Sequence, residues 1–390
     1  MNLRKISENV SWLGVIDWDR RLFDSLIPLP DGTSYNAYLV RGSEKIALID
    51  TVDPPFWPAL EEQLRDVAKI DYVISHHAEQ DHSGSIGRVL EKYPNAQVLC
   101  SEKCKSMLVD HLHIPEARVR TVADGETVFL GGKTLQFIYT PWVHWPETMT
   151  TFLKEDGILF SCDFFGSHLA TTDLYAMDRP RVYESAKRYY AEIMMAFRNV
   201  IRKNIEKVEA LPVRVIAPSH GPVYDDPKFI IDAYKDWISD TPKNEVVIPY
   251  ISMHGSTRRM VERLVGALAD RGVTAFQFDL AATDIGKLAV SLVDAATLVI
   301  GTPTVHMGPH PNVVFAAVLA NAIRPKAKFA SIIGSYGWST KAVESLAAMI
   351  PNLKVEIIPP VLCKGYPREA DLKAIDALAD VIAQKHKSIL

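Results

Sequence analysis

His76-His77-Ala78-Glu79-Gln80-Asp81-His82, HHAEQDH in one-letter code, sets three imidazoles and two carboxylates in seven consecutive positions. Both groups are common ligands of first-row metals. The stretch follows the apolar run DYVIS at 71–75 and precedes SGSIGRVLEKY at 83–93, which reads as a glycine-containing loop entering a helix. The cluster is therefore expected in a strand-to-helix loop, and the carboxyl ends of strands are where such folds build sites. Within it His77, Glu79, Asp81 and His82 have the spacing H-x-E-x-D-H. Ligand-type residues recur just past other apolar runs: His144 after LQFIYTPWV, Asp163 after GILFSC and His220 after VRVIAPS. Separate loops that each deliver such a side chain from a strand end are what a two-metal site at one edge of a β-sandwich requires. Any one of these histidines alone reads more simply as core or surface; the set of seven does not.

The rest of the composition is that of an ordinary globular chain. Its 390 residues suggest two or three domains, and 48% hydrophobic content is ample for packed cores. With 43 basic against 47 acidic residues the net charge is -4, so nothing points to nucleic acid or an anionic membrane as partner. The N-terminus lacks an uninterrupted apolar core and a cleavage site, and no later run approaches membrane-spanning length; the expected location is the cytoplasm. Cys100, Cys104, Cys162 and Cys363 are too few and too scattered for a disulfide framework and read as buried thiols in a reducing compartment.

Two rhythms divide the chain. In the first part, SYNAYLV, KIALID, TLQFIY and GILFSCD predict strands, an amphipathic pattern predicts a helix from Ala59 to Ala68, and a long helical pattern runs from about Arg181 to Leu211. From Glu245 onward strands and helices alternate: VVIPYIS, TRRMVERLVGALADRG, TAFQFDL, AATLVIGT, KFASIIGS and KVEIIPP. Regular alternation predicts a doubly wound parallel sheet. The polar SDTPKNE, Ser239 to Glu245, reads as the linker.

In this second part Ser252, Met253, His254, Gly255, Ser256 and Thr257 lie between a strand and a helix. Loop amides, hydroxyls and a helix N-terminus together suit a monophosphate. The loop is neither G-x-G-x-x-G nor a Walker motif, which argues against a dinucleotide or a nucleoside triphosphate. Two further strand-end loops carry Thr302, Pro303, Thr304, His306 and Gly308, and Ser335, Tyr336, Gly337 and Trp338. Their glycines let backbone approach a flat ring that Tyr336 or Trp338 could flank.

H-x-E-x-D-H with His144, Asp163 and His220 downstream resembles the metallo-β-lactamase-like domain, most hydrolases of which carry histidine at the second motif position and bind zinc. With Glu79 in that position the motif resembles that of the flavodiiron proteins, and the loops of the second part resemble those of flavodoxin. The resemblance covers essentially the whole chain. It implies an α/β protein, with a metallo-β-lactamase-like αβ/βα sandwich at 1–243 followed by a flavodoxin-like doubly wound parallel sheet at 246–390. It also implies that His77, Glu79 and His144 hold one iron, that Asp81, His82 and His220 hold the other, and that Asp163 bridges them beside a μ-oxo or μ-hydroxo group. The chemistry of the motif agrees: a carboxylate in place of an imidazole hardens the site and adds negative charge, favouring redox-active iron over zinc.

The expected cofactors are thus two irons and one FMN per chain. The expected activity is reduction of dioxygen to water, nitric oxide to nitrous oxide, or both, two electrons coming from flavin and two from the metals. Because the sequence ends at Leu390 without paired C-x-x-C elements, an external donor such as rubredoxin, a reduced deazaflavin or a flavin reductase is expected, and a head-to-tail homodimer or a dimer of dimers would set each flavin against a partner's irons. His168 and Tyr190 are candidates to support the centre from outside the ligand set, while Trp142, Trp145 and the pair Tyr189-Tyr190 are candidate walls. The spacing excludes His76 from the motif and gives it a structural or ligand-orienting place, and His111 and His113 read as solvated residues near a helix end. Two other readings compete: a zinc hydrolase with a regulatory flavodoxin-like domain, against which Glu79 and the flavin loops weigh, and an electron carrier with a vestigial metal site, against which the full set of seven weighs.

Overall fold

Strand Thr33–Arg41 shows how the first part of the chain is built. Successive side chains of a strand point to opposite faces. Tyr35, Ala37 and Leu39 accordingly enter one core, shared with Leu60, Leu64, Ile86, Val89 and Leu108 from flanking helical segments. Tyr38 and Val40 enter a second core, shared with Leu135, Phe137, Met149, Phe160 and Ala217 from another sheet. A sheet buried on both faces, between helices on one side and a sheet on the other, is the expected αβ/βα sandwich.

The computed structural model describes residues 3–389. The chain forms two compact units, one comprising residues up to Tyr190 together with Phe197–Ile238, the other Ala191–Ala196 together with residues from Ser239 onward. In the first unit, a seven-stranded sheet has the spatial order Arg4–Ser7, Val10–Asp17, Thr33–Arg41, Ile46–Ile49, Tyr72–Ile74, Gln97–Cys100, Val119–Thr121. It is antiparallel up to Ile46–Ile49 and parallel beyond. A five-stranded sheet has the order Thr127–Phe129, Thr134–Tyr139, Met149–Leu153, Ile158–Cys162, Val215–Pro218, with only the last pair parallel. Backbone hydrogen bonds stitch the two sheets together where their strands end: Asn36 N–H donates to the Ser219 carbonyl at 2.8 Å and Met149 N–H to the His76 carbonyl at 3.0 Å.

In the second unit all principal strands run parallel, in the spatial order Thr274–Asp279, Lys243–Tyr250, Ala295–Val305, Phe329–Tyr336, with the short Glu356–Ile357 and Val361–Lys364 sharing the far edge. Numbered along the chain this is 2-1-3-4-5, whose order reverses between Lys243–Tyr250 and Ala295–Val305; ligands bind beyond the strand ends at such a switch point. The run AATLVIG in Ala295–Val305 is wholly buried, as a central parallel strand requires. Helices Ser256–Ala269 and Glu369–Lys387 cover one face through Met260, Leu264, Ile375 and Ile382. Near the end of the latter, buried His386 sits between the Asn244 side-chain oxygen, 2.8 Å from Nδ1, and the Thr297 hydroxyl, 2.7 Å from Nε2.

Several expected elements differ in extent. The helix expected from Ala59 to Ala68 spans Trp57–Gln63; the chain then turns, Val67 N–H bonding the Leu64 carbonyl, so that Leu64, Val67 and Ile70 all reach the core. The run expected from Arg181 to Leu211 is two α-helices, Arg179–Tyr189 and Arg198–Glu209, separated by a π-helical turn at Tyr190–Met194 and a 3-10 turn at Met195–Phe197. Of KVEIIPP only Glu356–Ile357 forms a strand; Ile358 N–H adds one bond to the Ala330 carbonyl at 2.8 Å, after which Pro359 and Pro360 have no N–H to donate. The linker is shorter than expected, since strand Lys243–Tyr250 begins within it. Among the described residues no helix is long and apolar enough to cross a membrane.

Candidate metal centre and cofactor loops

Strand Tyr72–Ile74 ends in a loop that carries His77 and Glu79 and runs into the short helix Gln80–Ser83 holding Asp81 and His82. The loop is anchored from below: the Ser83 hydroxyl sits between the Ala78 and Glu79 carbonyls, 2.8 Å from each and sharing its one hydrogen, and Ala78 N–H donates to Glu147 Oε1 at 3.0 Å. His144 follows strand Thr134–Tyr139, Asp163 follows Ile158–Cys162 and His220 follows Val215–Pro218, as the sequence predicts. Gly221 is required after His220: at φ +80° a Cβ there would lie 2.1 Å from Ser167 Oγ.

All seven side chains converge. His77 Nε2 and His144 Nε2 lie 3.2 and 3.0 Å from Glu79 Oε2, and 3.1 and 3.2 Å from Asp163 Oδ2. His82 Nε2 lies 3.1 Å from Asp81 Oδ2, 3.0 Å from His220 Nε2 and 3.2 Å from Asp163 Oδ1. Two groups result, one of His77, Glu79 and His144, the other of Asp81, His82 and His220, and Asp163 gives one oxygen to each. Separations of this size are the polyhedron edges expected for donors about 2.0–2.2 Å from a shared cation. His220 Nδ1 is 2.7 Å from the Ser34 carbonyl, so its Nε2 presents a lone pair toward the cluster.

The electrostatics also call for cations. Burial would push the Asp163 and Asp81 carboxyls up, but the imidazoles of His82 and His77 around the former, and of His82 and His220 around the latter, hold both well below the usual range. Burial would likewise depress His144, but hydrogen bonds with Asp163 and Glu79 push it up to about 9. Both Asp81 oxygens and Asp163 Oδ1 are enclosed without a hydrogen-bond donor. Buried carboxylates persist only where positive charge compensates them. The donor set, imidazole nitrogen and carboxylate oxygen without thiolate, suits hard to borderline cations.

Residues outside the seven divide. His76 turns away: its Nδ1 is 2.6 Å from Asp50 Oδ2 and its Nε2 2.8 Å from the Thr151 hydroxyl, a structural place beneath the loop. His168 is buried, with Nδ1 2.9 Å from Thr33 Oγ1 and its ring 4.8 Å from that of His220. Of the tyrosine pair, the ring that meets His168 and His220 is Tyr189, at 4.8 and 5.8 Å. Tyr190, expected to support the centre from outside the ligand set, lays its ring against Tyr234 and Trp237 and points its hydroxyl at the Trp237 carbonyl. Adjacent helical residues point about 100° apart, so only one of the two can face the centre. Trp145 sets its ring edge-on to His77 and His144, whereas Trp142 is half-exposed and stacks on Phe197. His111 and His113 are exposed at the end of helix Glu102–Leu112. Cys162, read only as a buried thiol, lies 3.3 Å from His77 Nδ1.

The second unit gathers its predicted loops at the carboxyl ends of its strands. A pocket there is lined by Ser252, Met253, His254, Ser256 and Thr257 of the first loop, Pro303 and Thr304 of the second, and Ser335, Tyr336 and Gly337 of the third. Gly255 does not line it but shapes it, with φ +85° at the N-terminus of Ser256–Ala269. Thr302 is buried and holds its own loop, accepting from His310 N–H at 3.1 Å. His306 lies in the turn joining Ala295–Val305 to Gly308–Pro309, Gly308 opens the latter strand, and Trp338 is 81% exposed; none of these three lines the pocket. Gly365, absent from the sequence reading, completes the wall; its N–H donates to the Tyr336 carbonyl at 2.9 Å. All four buried cysteines are free thiols.

A family model described as ODP family beta lactamase matches residues 33–221, which include all seven converging side chains. A nitric oxide reductase of Moorella thermoacetica is 33% identical over 391 residues, covering 97% of this chain and 98% of its own. The solved rubredoxin oxygen:oxidoreductase of Desulfovibrio gigas superposes with a TM-score of 0.95 at 29% identity, over 99% of each chain. That of the flavodiiron protein from Giardia intestinalis superposes with a TM-score of 0.92 at 27% identity, over 100% of this chain and 98% of the other. The chain belongs to the flavodiiron protein family. As in the fold expected of a flavodiiron protein, a metallo-β-lactamase-like sandwich precedes a flavodoxin-like sheet.

Proposed function

We propose that this flavodiiron protein is an oxidoreductase that reduces dioxygen to water, nitric oxide to nitrous oxide, or both, using two irons and one FMN per chain. The observation that carries the reading is the division of Asp163, with Oδ2 beside His77 and His144 and Oδ1 beside His82 and His220. A carboxylate divided in this way would hold two cations, one on each oxygen. In this reading His77, Glu79 and His144 hold one iron, Asp81, His82 and His220 the other. When bound, the iron pair supplies redox-active coordination positions for a diatomic gas, and FMN supplies the electrons that restore it.

The chain's own residues do the rest. Glu79, Asp81 and Asp163 place three negative charges among four imidazoles, which suits a pair of redox-cycling cations better than the motif with histidine in place of Glu79. Trp145 fixes the His77 and His144 rings by edge contact, and the Ser34 carbonyl fixes the tautomer of His220. Ser252, Ser256 and Thr257, with the helix N-terminus behind Gly255, bind the phosphate of FMN, and Tyr336 and Gly337 border its ring. Electrons enter from an external donor, rubredoxin or a reduced deazaflavin or flavin reductase, and the functional assembly is a head-to-tail homodimer in the cytoplasm.

Metal and flavin analysis of protein produced with ample iron tests the reading. About two irons and one FMN per chain are expected; stoichiometric zinc without iron would defeat it in favour of a hydrolase. Chelation should abolish gas reduction with FMN retained, which an electron carrier with a vestigial centre would not show. Steady-state rates with dioxygen and with nitric oxide, measured side by side with a chemically reduced donor, assign the gas.

A further inference from the structure

The half of the centre formed by Asp81, His82 and His220 has a further buried nitrogen on its border. His168 follows Asp163 in the same loop, and its ring lies 4.8 Å from that of His220. Tyr189 flanks it at 4.8 Å, and Phe23, buried although Leu22 and Asp24 on either side of it are exposed, closes over it at 5.2 Å. His168 is 5% exposed, and its Nε2 has no hydrogen-bond partner. Folded proteins leave few buried polar atoms unmet, and those few concentrate where a ligand meets them.

Which tautomer His168 adopts follows from its neighbours. The Ser34 carbonyl can only accept, so His220 carries its hydrogen on Nδ1, 2.7 Å away. Thr33 Oγ1 lies 3.4 Å from that same Nδ1 and 2.9 Å from His168 Nδ1. The threonine's single hydrogen can go to the Ser34 carbonyl at 3.4 Å or to the shorter contact, His168 Nδ1; in the second arrangement His168 Nδ1 accepts and the neutral ring carries its hydrogen on Nε2. That arrangement gives an enclosed N–H donor, fixed in direction by Thr33 and covered by two aromatic rings.

Resting on the two-metal reading above, we propose that His168 Nε2–H is a hydrogen-bond donor to a small anionic ligand held at the Asp81–His82–His220 half of the centre. An enclosed neutral donor adds little to the binding of an uncharged gas but strengthens as its acceptor gains negative charge. This is the preference wanted of a residue beside a diatomic molecule undergoing reduction.

Azide, a small anion with terminal acceptor nitrogens, serves as the probe on oxidised, metal-loaded protein followed by absorbance. His168→Phe should weaken azide binding about 10- to 100-fold, the size expected for one hydrogen bond to a charged group. His168→Gln, which keeps an N–H donor, should stay within about threefold of wild type. Metal content, FMN content and Tm should not change in either variant. Equal azide affinity in wild type and His168→Phe at equal metal content would overturn the proposal. A loss shared by the Phe and Gln variants together with reduced metal content would also overturn it, assigning His168 to the positioning of His220 through Thr33. Wild-type protein without iron would instead defeat the functional reading, leaving the azide comparison to be made with whichever metal is bound.

Discussion

In the proposed reading, Glu79 is the residue on which metal choice turns. Its carboxylate lies 3.0–3.2 Å from two imidazoles that already face Asp163, so replacing it by histidine changes charge and hardness while leaving the neighbouring donors in place. Glu79→His should shift the bound metal toward zinc and abolish dioxygen reduction, as read by metal analysis and an oxygen electrode; an iron-loaded variant with full oxidase activity would refute this account of Glu79. The seven converging residues were legible because ligand chemistry repeats visibly at strand ends. Thr33, Cys162 and Asp50 were not, since each acts through a partner that is distant in sequence and chosen by sheet register. Tyr189 and Tyr190 were legible in part: the pair signals an aromatic wall, but which ring meets His220 depends on where the helix distorts, and nothing in the local sequence marks the π turn that begins at Tyr190.

Among the elements, the loop between Lys243–Tyr250 and Ser256–Ala269 makes the most specific demand on its residues. Ser252 Oγ accepts from Arg258 N–H at 3.2 Å, and the Thr257 hydroxyl lies 3.5 Å from Ser335 Oγ, so both side chains stand at the pocket wall. Ser252→Ala with Thr257→Ala should weaken FMN binding by about 10- to 100-fold in a fluorescence titration, with iron content unchanged. Unaltered FMN affinity would remove these hydroxyls from phosphate binding. The helix Glu369–Lys387 carries a different prediction. Burial holds His386 below its ordinary pKa of 6.5, so the unfolded chain binds that proton more readily. Stability from the neutral ring is therefore complete above about pH 6.5 and is lost as pH falls below it. Between pH 7.5 and 5.5 the wild-type Tm should drop further than that of His386→Gln, and equal drops would show that His386 does not titrate in folding. Strands were the most legible elements because alternation and burial agree; helix ends were less so, Leu64 leaving its helix early to reach a core that periodicity alone does not locate.

For the whole molecule, the change of rhythm near the polar stretch 239–245 anticipated two units, yet the assignment of 191–196 to the second reflects contacts between residues far apart in sequence, which no local pattern carries. The proposed head-to-tail pairing makes a prediction that neither unit makes alone. Asp163→Ala protein, lacking a competent metal centre, and Gly255→Glu/Thr257→Ala protein, verified to lack FMN, should each be inactive. Mixed under subunit exchange, they should regain gas reduction, because the flavin of the first chain would serve the irons of the second. Silence in a mixture with verified heterodimers would refute electron transfer across the dimer.

The centre draws His77, Glu79, Asp81 and His82 from a loop of the seven-stranded sheet, and His144, Asp163 and His220 from loops of the five-stranded one. The proposed metal pair, held between them, would tie together stretches of chain that the sequence spaces widely, and so would act on folding as a set of cross-links does, by restricting the open states of the sandwich. Demetallated protein should therefore melt at lower temperature and exchange backbone amides faster in both sheets near 75–82 and 215–220, not only at the side chains that lost a ligand. If exchange quickened on one side only, the metals would be passengers of a sandwich already closed; if on both, the chemistry of the centre and the endurance of the fold draw on the same bonds, and a cell short of iron would lose the protein as well as its activity.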